Sequence, residues 1–370
     1  LSQNAITLLG PQHTEPSVDR VLRELGVRGP VAAVTAGWQE RESDPASLPP
    51  LGVDAVNLTL HARADDVFRA DPELAAAIKS RQSRLKLMQD FYRVRLESAD
   101  QAARAISLRH VDPTVLADEA VASIDVVRAL DRDHLDRCRA VRDELSRAMP
   151  AIDRDAVARH CRELAALIAP TDAIVIAGGH VAVLLNRIRM FGVADLFGSR
   201  RIVAWSAGAM VLAERVVLFH DSPPHGRGIA EVLDEGLGLA RGIVVLPEPA
   251  LRLRLDDEAR VAHYAQRFAP AACLAMDRAS SIAIGAGGGA IVARDVRRLT
   301  TTGDGGGVVA DVSPPTRAPE VGTDAERAGR SPTRAPEVGT DAERAGRSST
   351  RAPEVGTDAE RAGRSSTRAP

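Results

Sequence analysis

The stretch that most limits how this chain can fold is Ile202 to Met210, Ile-Val-Ala-Trp-Ser-Ala-Gly-Ala-Met. A β-branched apolar run stops at Ser206, three small residues follow at once, and a helix-forming run from Val211 to Glu214 comes next. A strand that turns this sharply into a helix needs small neighbours, because a larger side chain collides with the adjacent strand or with the helix start. The turn lifts the serine hydroxyl above the strand end and aims helix N–H groups at whatever approaches it. The pattern is that of a nucleophile elbow, G-x-S-x-G, with Ala204 in place of the first glycine. A serine that only caps a helix after a buried strand has the same local pattern. What surrounds it decides between them.

Runs of similar character stand on both sides. Ala5 to Gly10 reads as a buried strand ending in glycine, followed by the loop Gly10-Pro11-Gln12-His13. Val18, Val21, Leu22 and Leu25 recur at helical spacing. Val31 to Ala36 is a second strand, with Trp38-Gln39-Glu40-Arg41-Glu42 after it, and Ala55 to Leu60 a third. Glu40 and Arg41 either line a pocket at that edge or form a solvated charge run. Ala173 to Ala177 is a further strand, ending in Gly178-Gly179-His180 and followed by a helix through Leu184, Leu185 and Ile188. Strands and helices alternating at these lengths predict βαβ units and a parallel sheet.

Between about Asp71 and Ala169 strand-like runs all but vanish, and apolar residues fall at helical spacing among charged ones. This predicts a helical insertion, read as a lid, as helices packed on one sheet face, or as a homodimer surface. Prolines and glycines exclude regular helix from Val217 to Gly228. Gly242 to Leu246 is a strand broken by Pro247-Glu248-Pro249, and Asp256 to Phe268 is helical. Ala272 to Met276 is strand-like, and Ile282–Ile284 with Ile291–Ala293 predict a last hairpin. Beyond Thr300 a 17-residue repeat starts at Thr316, Thr333 and Thr350 with one valine as the large apolar residue of each copy. Such copies cannot offset the entropy of ordering them, so a disordered tail is expected.

Composition narrows the function classes. A formal net charge of −2 gives no electrostatic argument for nucleic acid or an anionic membrane. Three cysteines, Cys138, Cys161 and Cys273, provide neither a disulfide framework nor a metal site. No apolar run reaches the roughly 18 residues of a membrane span. Leu1-Ser2-Gln3-Asn4 lacks a basic segment before an apolar one, so a cytoplasmic location is the expectation. His220 and His225 lack partners at ligand spacing, and Gly285 to Gly289 lacks the Lys and Ser/Thr of a phosphate loop. No metal or cofactor is expected.

Gly178-Gly179 ends one strand and Ser206-Ala207-Gly208 ends the next. A glycine loop lets backbone N–H groups approach a substrate oxygen, and the N–H of Ala207 adds a second donor for a developing oxyanion. In an open parallel sheet both loops lie at the carboxyl edge, where ligands bind. Three blocks in this order, Ala-Ile-Val-Ile-Ala-Gly-Gly-His (173–180), Ile-Val-Ala-Trp-Ser-Ala-Gly-Ala (202–209) and Glu-Gly-Leu-Gly-Leu (235–239), resemble the peptidase E and cyanophycinase group. The resemblance covers about residues 170 to 285 well and the first 60 loosely. It implies a class I glutamine-amidotransferase-like, flavodoxin-like fold with Ser206 as nucleophile. It also implies Gly179 and Ala207 as oxyanion donors, with Gly178 and Gly208 beside them, and acidic or small peptide or amide substrates.

The departures are as informative. Where that family carries its catalytic histidine, after the strand that follows the Gly-Leu-Gly-Leu block, this chain has Glu248. Where the family's acid is expected, the chain reads Asp277-Arg278-Ala279-Ser280, so a Glu248–Arg278 ion pair could replace the His–acid pair. Neither member would deprotonate Ser206 in the ordinary way. His180, His220 and His225, with Asp221 between the last two, are the remaining candidate bases. The expectation is a three-layer α/β fold on a mainly parallel sheet. It is divided as 1–70 (first half), 71–169 (helical insertion), 170–300 (second half with the elbow) and 301–370 (tail). Two functions stand against each other: a peptidase-E-like serine hydrolase, and an impaired relative that binds a small ligand or protein in the same pocket. An esterase of another α/β type leaves the Gly-Leu-Gly-Leu block unexplained, and a thiol mechanism lacks its cysteine at the elbow.

Overall fold

The computed structural model describes residues 5–44, 47–220, 228–285, 291–302 and 306–312. Short strands without a polar face mark a sheet covered on both sides. They are β1 (Ile6–Leu9), β2 (Val31–Val34), β3 (Ala55–Asn57), β4 (Ala173–Ile176) and β5 (Arg201–Trp205), each parallel to its neighbours in the order β3-β2-β4-β5-β1. On β1 the sheet turns antiparallel, through β9 (Ala272–Ile284), β10 (Ile291–Thr301) and β11 (Gly307–Asp311), while β8 (Ile243–Pro247) joins β9 in parallel. Side chains alternate strictly, as the strand period of two requires. Leu9, Val31, Ala33, Val175, Val203 and Trp205 pack against α1 (Val18–Glu24) on one face. Ile6, Leu8, Val34, Ile174, Ile176, Ile202 and Ala204 belong to the larger core on the other. The fold is three-layered α/β, mainly parallel.

The placement of β8 determines where the site lies. The first part of β9 pairs with β8 and its last part with β1, on the same side, because β10 occupies the other. Since β8 runs parallel and β1 antiparallel to β9, their carboxyl ends meet over residues 277–280. Glu248 N–H donates to Met276 O at 3.1 Å, and Gly10 N–H to Ser280 O at 2.9 Å. A Cβ on Gly10 would stand 1.7 Å from Asp277 O, so only glycine permits this approach.

The insertion consists of α2 (Leu60–Ala70), α3 (Pro72–Ser107), α4 (Pro113–Ala148) and α5 (Asp155–Ile168). Both long helices start with an aspartate cap before a first-turn proline: Asp71 accepts from Leu74 N–H, and Asp112 from Thr114 N–H. The α3–α4 hairpin is fastened to α9 (Glu258–Phe268) and to β7 (Glu231–Glu235), which pairs with β6 (Arg215–Leu218). Arg93 holds Glu231, Arg142 reaches Asp234 and Glu235, and Arg128 donates to Gln266 O. In the buried centre, Arg267 of α9 donates to Asp131 of α4 at 2.7 and 2.8 Å and to Tyr92 of α3 at 3.0 Å. A helix pair fixed in this way is a buttress behind β7.

Several boundaries differ from expectation. The third strand ends at Asn57 and α2 begins at Leu60 instead of near 71. Ala272–Ile284 pairs with β10 at both ends but is bulged between them: Met276 pairs with Val296 and Ser281 with Arg294, so residues 277–280 loop out opposite Asp295 where β8 and β1 end. The sheet runs past Thr300 into β11, whose Gly307 seats against α9. The helix after Ser206, α7 (Ala207–Leu212), stops short of Glu214 because the Gly-Leu-Gly-Leu block takes its carbonyls. Leu237 N–H donates to Val211 O, Gly238 N–H to Ala213 O, and Leu239 and Ala240 N–H to Leu212 O. Gly236 lies so close that a Cβ would be 2.0 Å from Ala213 O. The block is thus the C-terminal cap of the elbow helix. The 17-residue repeats, Asp221 and His225 lie outside the described residues.

Candidate active site

Ser206 joins β5 to α7 at φ 50°, ψ −120°, a left-handed conformation that a residue with a Cβ adopts only when its surroundings hold it there. Its N–H donates to Leu9 O of β1 at 3.3 Å and its carbonyl accepts from Met210 N–H at 3.1 Å. The small residues around it have specific reasons. A Cβ on Gly208 would stand 2.2 Å from Ile176 O, so this glycine lets α7 press against β4. Gly208 is buried and is not among the residues that line the cavity. A Cβ on Gly178 would stand 2.9 Å from the Ser206 Cβ, so glycine is what leaves space over the hydroxyl.

The glycine loop is set by a third strand end. Gly179 has φ +110° and lies against Gly37, whose carbonyl accepts from His180 N–H at 2.7 Å. Ala177 N–H is given to Val34 O, so the N–H groups of Gly178 and Gly179 have no backbone acceptor among the described residues. The N–H of Ala207 is the first of α7, where helices have no internal acceptor. Among the described residues these donors therefore stand without backbone partners at the carboxyl edge. Alanine at 178 keeps the backbone but crowds the serine. A displacement of about 1 Å costs on the order of 10²-fold in rate. Gly178→Ala is accordingly expected to lose about that much in the rate of acyl transfer to Ser206 while its melting temperature stays near that of the parent.

These elements border a cavity of about 600 Å³. It contains Ser206, Gly178, Gly179, His180 and Ala207 together with His13 and Gln12 from β1, Trp38 from β2, His220 after β6, and Glu248 and Arg252 after β8. Leu218, Phe219, Met210 and Leu233 supply apolar wall, and no lining residue comes from 60–169. Trp38 is carried by a 3-10 turn in which Gln39 takes φ 57°, ψ −124°. Glu40 and Arg41 are exposed and outside the lining. Glu42 is buried, which pushes its carboxyl up, and it accepts the N–H groups of His61 and Ala62 at the start of α2.

Glu248 heads α8 (Pro249–Arg252) at φ 56°, ψ 45°. Its Oε2 accepts from Arg252 Nε at 3.0 Å and lies 2.8 Å from Nη2. The ion pair expected with Arg278 is therefore made with Arg252. Arg278 itself is exposed and borders a separate depression with Glu15, Ser17 and Arg20. Arg278 lies in the bulge of β9, and Asp277 beside it pairs with Arg297 of β10. His180 caps α6 (Val181–Met190), its Nδ1 accepting Val183 N–H at 3.4 Å. His13 is the lining residue that reading the chain passed over. Its signal was a place just after the first strand, but nothing in the sequence says that β1 lies beside β5.

Among the described residues no group of three or more His, Cys, Asp or Glu could hold a metal ion, and no helix is long and apolar enough to cross a membrane. No protein-family model matches the chain, and no curated protein matches it. Among solved structures it is similar to a peptidase from an acI-B1 Actinobacterium, at 13% identity and a TM-score of 0.37, over 85% of this chain and 97% of that one.

Proposed function

We propose that the protein is a serine hydrolase that transfers an acyl group from a small peptide or amide to Ser206. The observation that carries this reading is the strained backbone of Ser206, kept in place opposite a glycine that leaves space over the hydroxyl. Backbone strain of this kind costs on the order of 1–3 kcal/mol and collects at functional sites. A serine that only capped a helix would have no need of it, and Ser206 makes no side-chain cap bond to α7. The N–H groups of Gly179 and Ala207 are suited to hold the oxyanion that forms when the hydroxyl adds to a carbonyl. Cavity size and the mixed aromatic and polar lining suit a short peptide better than a folded protein.

Glu248, bound to Arg252, favours a second reading, in which the same pocket binds a ligand without turning it over. An activated p-nitrophenyl ester separates the two. A nucleophilic serine gives a burst of nitrophenolate stoichiometric with enzyme, followed by slower turnover. A cavity that only binds gives no burst at any enzyme concentration, and that result would retire the hydrolase reading.

A further inference from the structure

We infer that His13 is the general base for Ser206, a role that rests on the serine-hydrolase reading and that the chain has moved from the β8 loop to the β1 loop. Strand neighbours supply the first argument. β5 lies between β4 and β1, so the Gly178-Gly179 loop stands on one side of Ser206 and the β1 loop on the other. An acyl-transfer site needs its oxyanion donors on one side of the nucleophile and its proton acceptor on the other. His13 follows Leu9, the residue whose carbonyl holds Ser206 N–H, by four positions and lines the same cavity.

The β1 loop that carries the exposed His13 is also closed by hydrogen bonds. Gln12, next to His13, is buried, and its carboxamide closes the loop in both directions. Its Nε2 donates to Gly10 O at 3.1 Å and Pro11 O at 3.4 Å, and its Oε1 accepts from Ser17 N–H at 2.6 Å, from Ser17 Oγ at 3.3 Å and from Val18 N–H at 3.1 Å. His180 is less suited. Its Nδ1 accepts Val183 N–H, which places the proton of the neutral ring on Nε2 and makes that nitrogen a donor. It also stands on the glycine-loop side. Among the described residues that line the cavity Glu248 is the one acid, and its Oε2 is held by Arg252.

The step balances without a co-reactant. As the Ser206 Oγ–C bond forms, its proton passes to a His13 ring nitrogen, and the carbonyl electron pair moves onto the oxygen held by Gly179 and Ala207. Collapse breaks the bond to the leaving amine, which takes the proton from His13. Water then repeats the sequence and frees Ser206.

The test is the second-order rate of Ser206 modification by a fluorophosphonate in full-length His13→Ala, His180→Ala and His220→Ala, each checked for an unchanged melting temperature. A lost general base costs roughly 10²–10⁴-fold. His13→Ala should fall at least 100-fold and recover in part on addition of free imidazole, while the other two fall less than tenfold. Should His13→Ala stay within threefold of the parent protein while Ser206→Ala is inert, His13 is not the base and the serine reading stands. A parent protein that is itself inert takes both down.

Discussion

Replacing Arg267 with alanine is expected to destabilise the protein by about 3–5 kcal/mol, the range for removing one partner of a buried ion pair. The Arg267 side chain is fully buried, and Asp131 opposite it is 3% exposed. Besides its bonds to Asp131, it donates through Nη1 to Ala230 O at 2.6 Å and through Nη2 to Tyr92 OH at 3.0 Å. Tyr92 donates to Asp131 at 2.6 Å and accepts Val232 N–H, and burial pushes its hydroxyl well above the usual range, so it stays a donor. Without the guanidinium, the Asp131 carboxylate is left in an apolar interior with one hydroxyl for company. Each kcal/mol moves the melting temperature of a domain of this size by roughly 2–4 °C, so a drop of about 10 °C is expected in a thermal melt. Removing both charges, as in Arg267→Met with Asp131→Leu, should recover part of the loss, because the penalty comes from an uncompensated charge. A melting temperature unchanged in Arg267→Ala would mean that the buttress does not depend on this network.

That network also bears on how the insertion serves the site. It supplies no wall of the cavity, yet Leu233 of β7 does, and β7 is held by α3 and α4, with Arg267 of α9 bound to Ala230 O just before it. Loosening Arg267 should therefore disturb the cavity through β7 even though the change is remote from Ser206.

Much of this architecture is legible in the sequence. The runs ending at Gly10, Ala36, Ala177 and Ser206 read as strands because β-branched residues fill both faces, and a parallel sheet then places their loops on one edge. The glycine pair and the elbow stood out because small residues at strand ends have few other uses. What stayed hidden depended on contacts between distant segments. β7 carries Glu231, Asp234 and Glu235, and its charges read as loop until Arg93, Arg139 and Arg142 are seen to neutralise them. α7 carries no stop signal of its own, since its cap comes from residues 236–240. Glu248 could be placed at the site by its strand, but its partner could not: Arg252 is four residues away on a helical turn and Arg278 is exposed in the bulge of β9. His13 was invisible for a topological reason, because nothing in a sequence orders β1 beside β5.

Ser206→Ala is expected to remove acyl transfer altogether. Alanine keeps the Cβ that the strained turn already accommodates, so the fold should survive and any loss belongs to the hydroxyl. The neighbouring glycines Gly208 and Gly37 offer no such separation, since both are held by close backbone approach.

The most direct measurement is the intact mass of the protein after incubation with a fluorophosphonate, followed by peptide mapping. A single adduct on the peptide carrying Ser206, absent in Ser206→Ala, is the predicted result. An unmodified mass after prolonged exposure across a broad pH range, or an adduct on some other residue, would contradict the claim that Ser206 is a nucleophile.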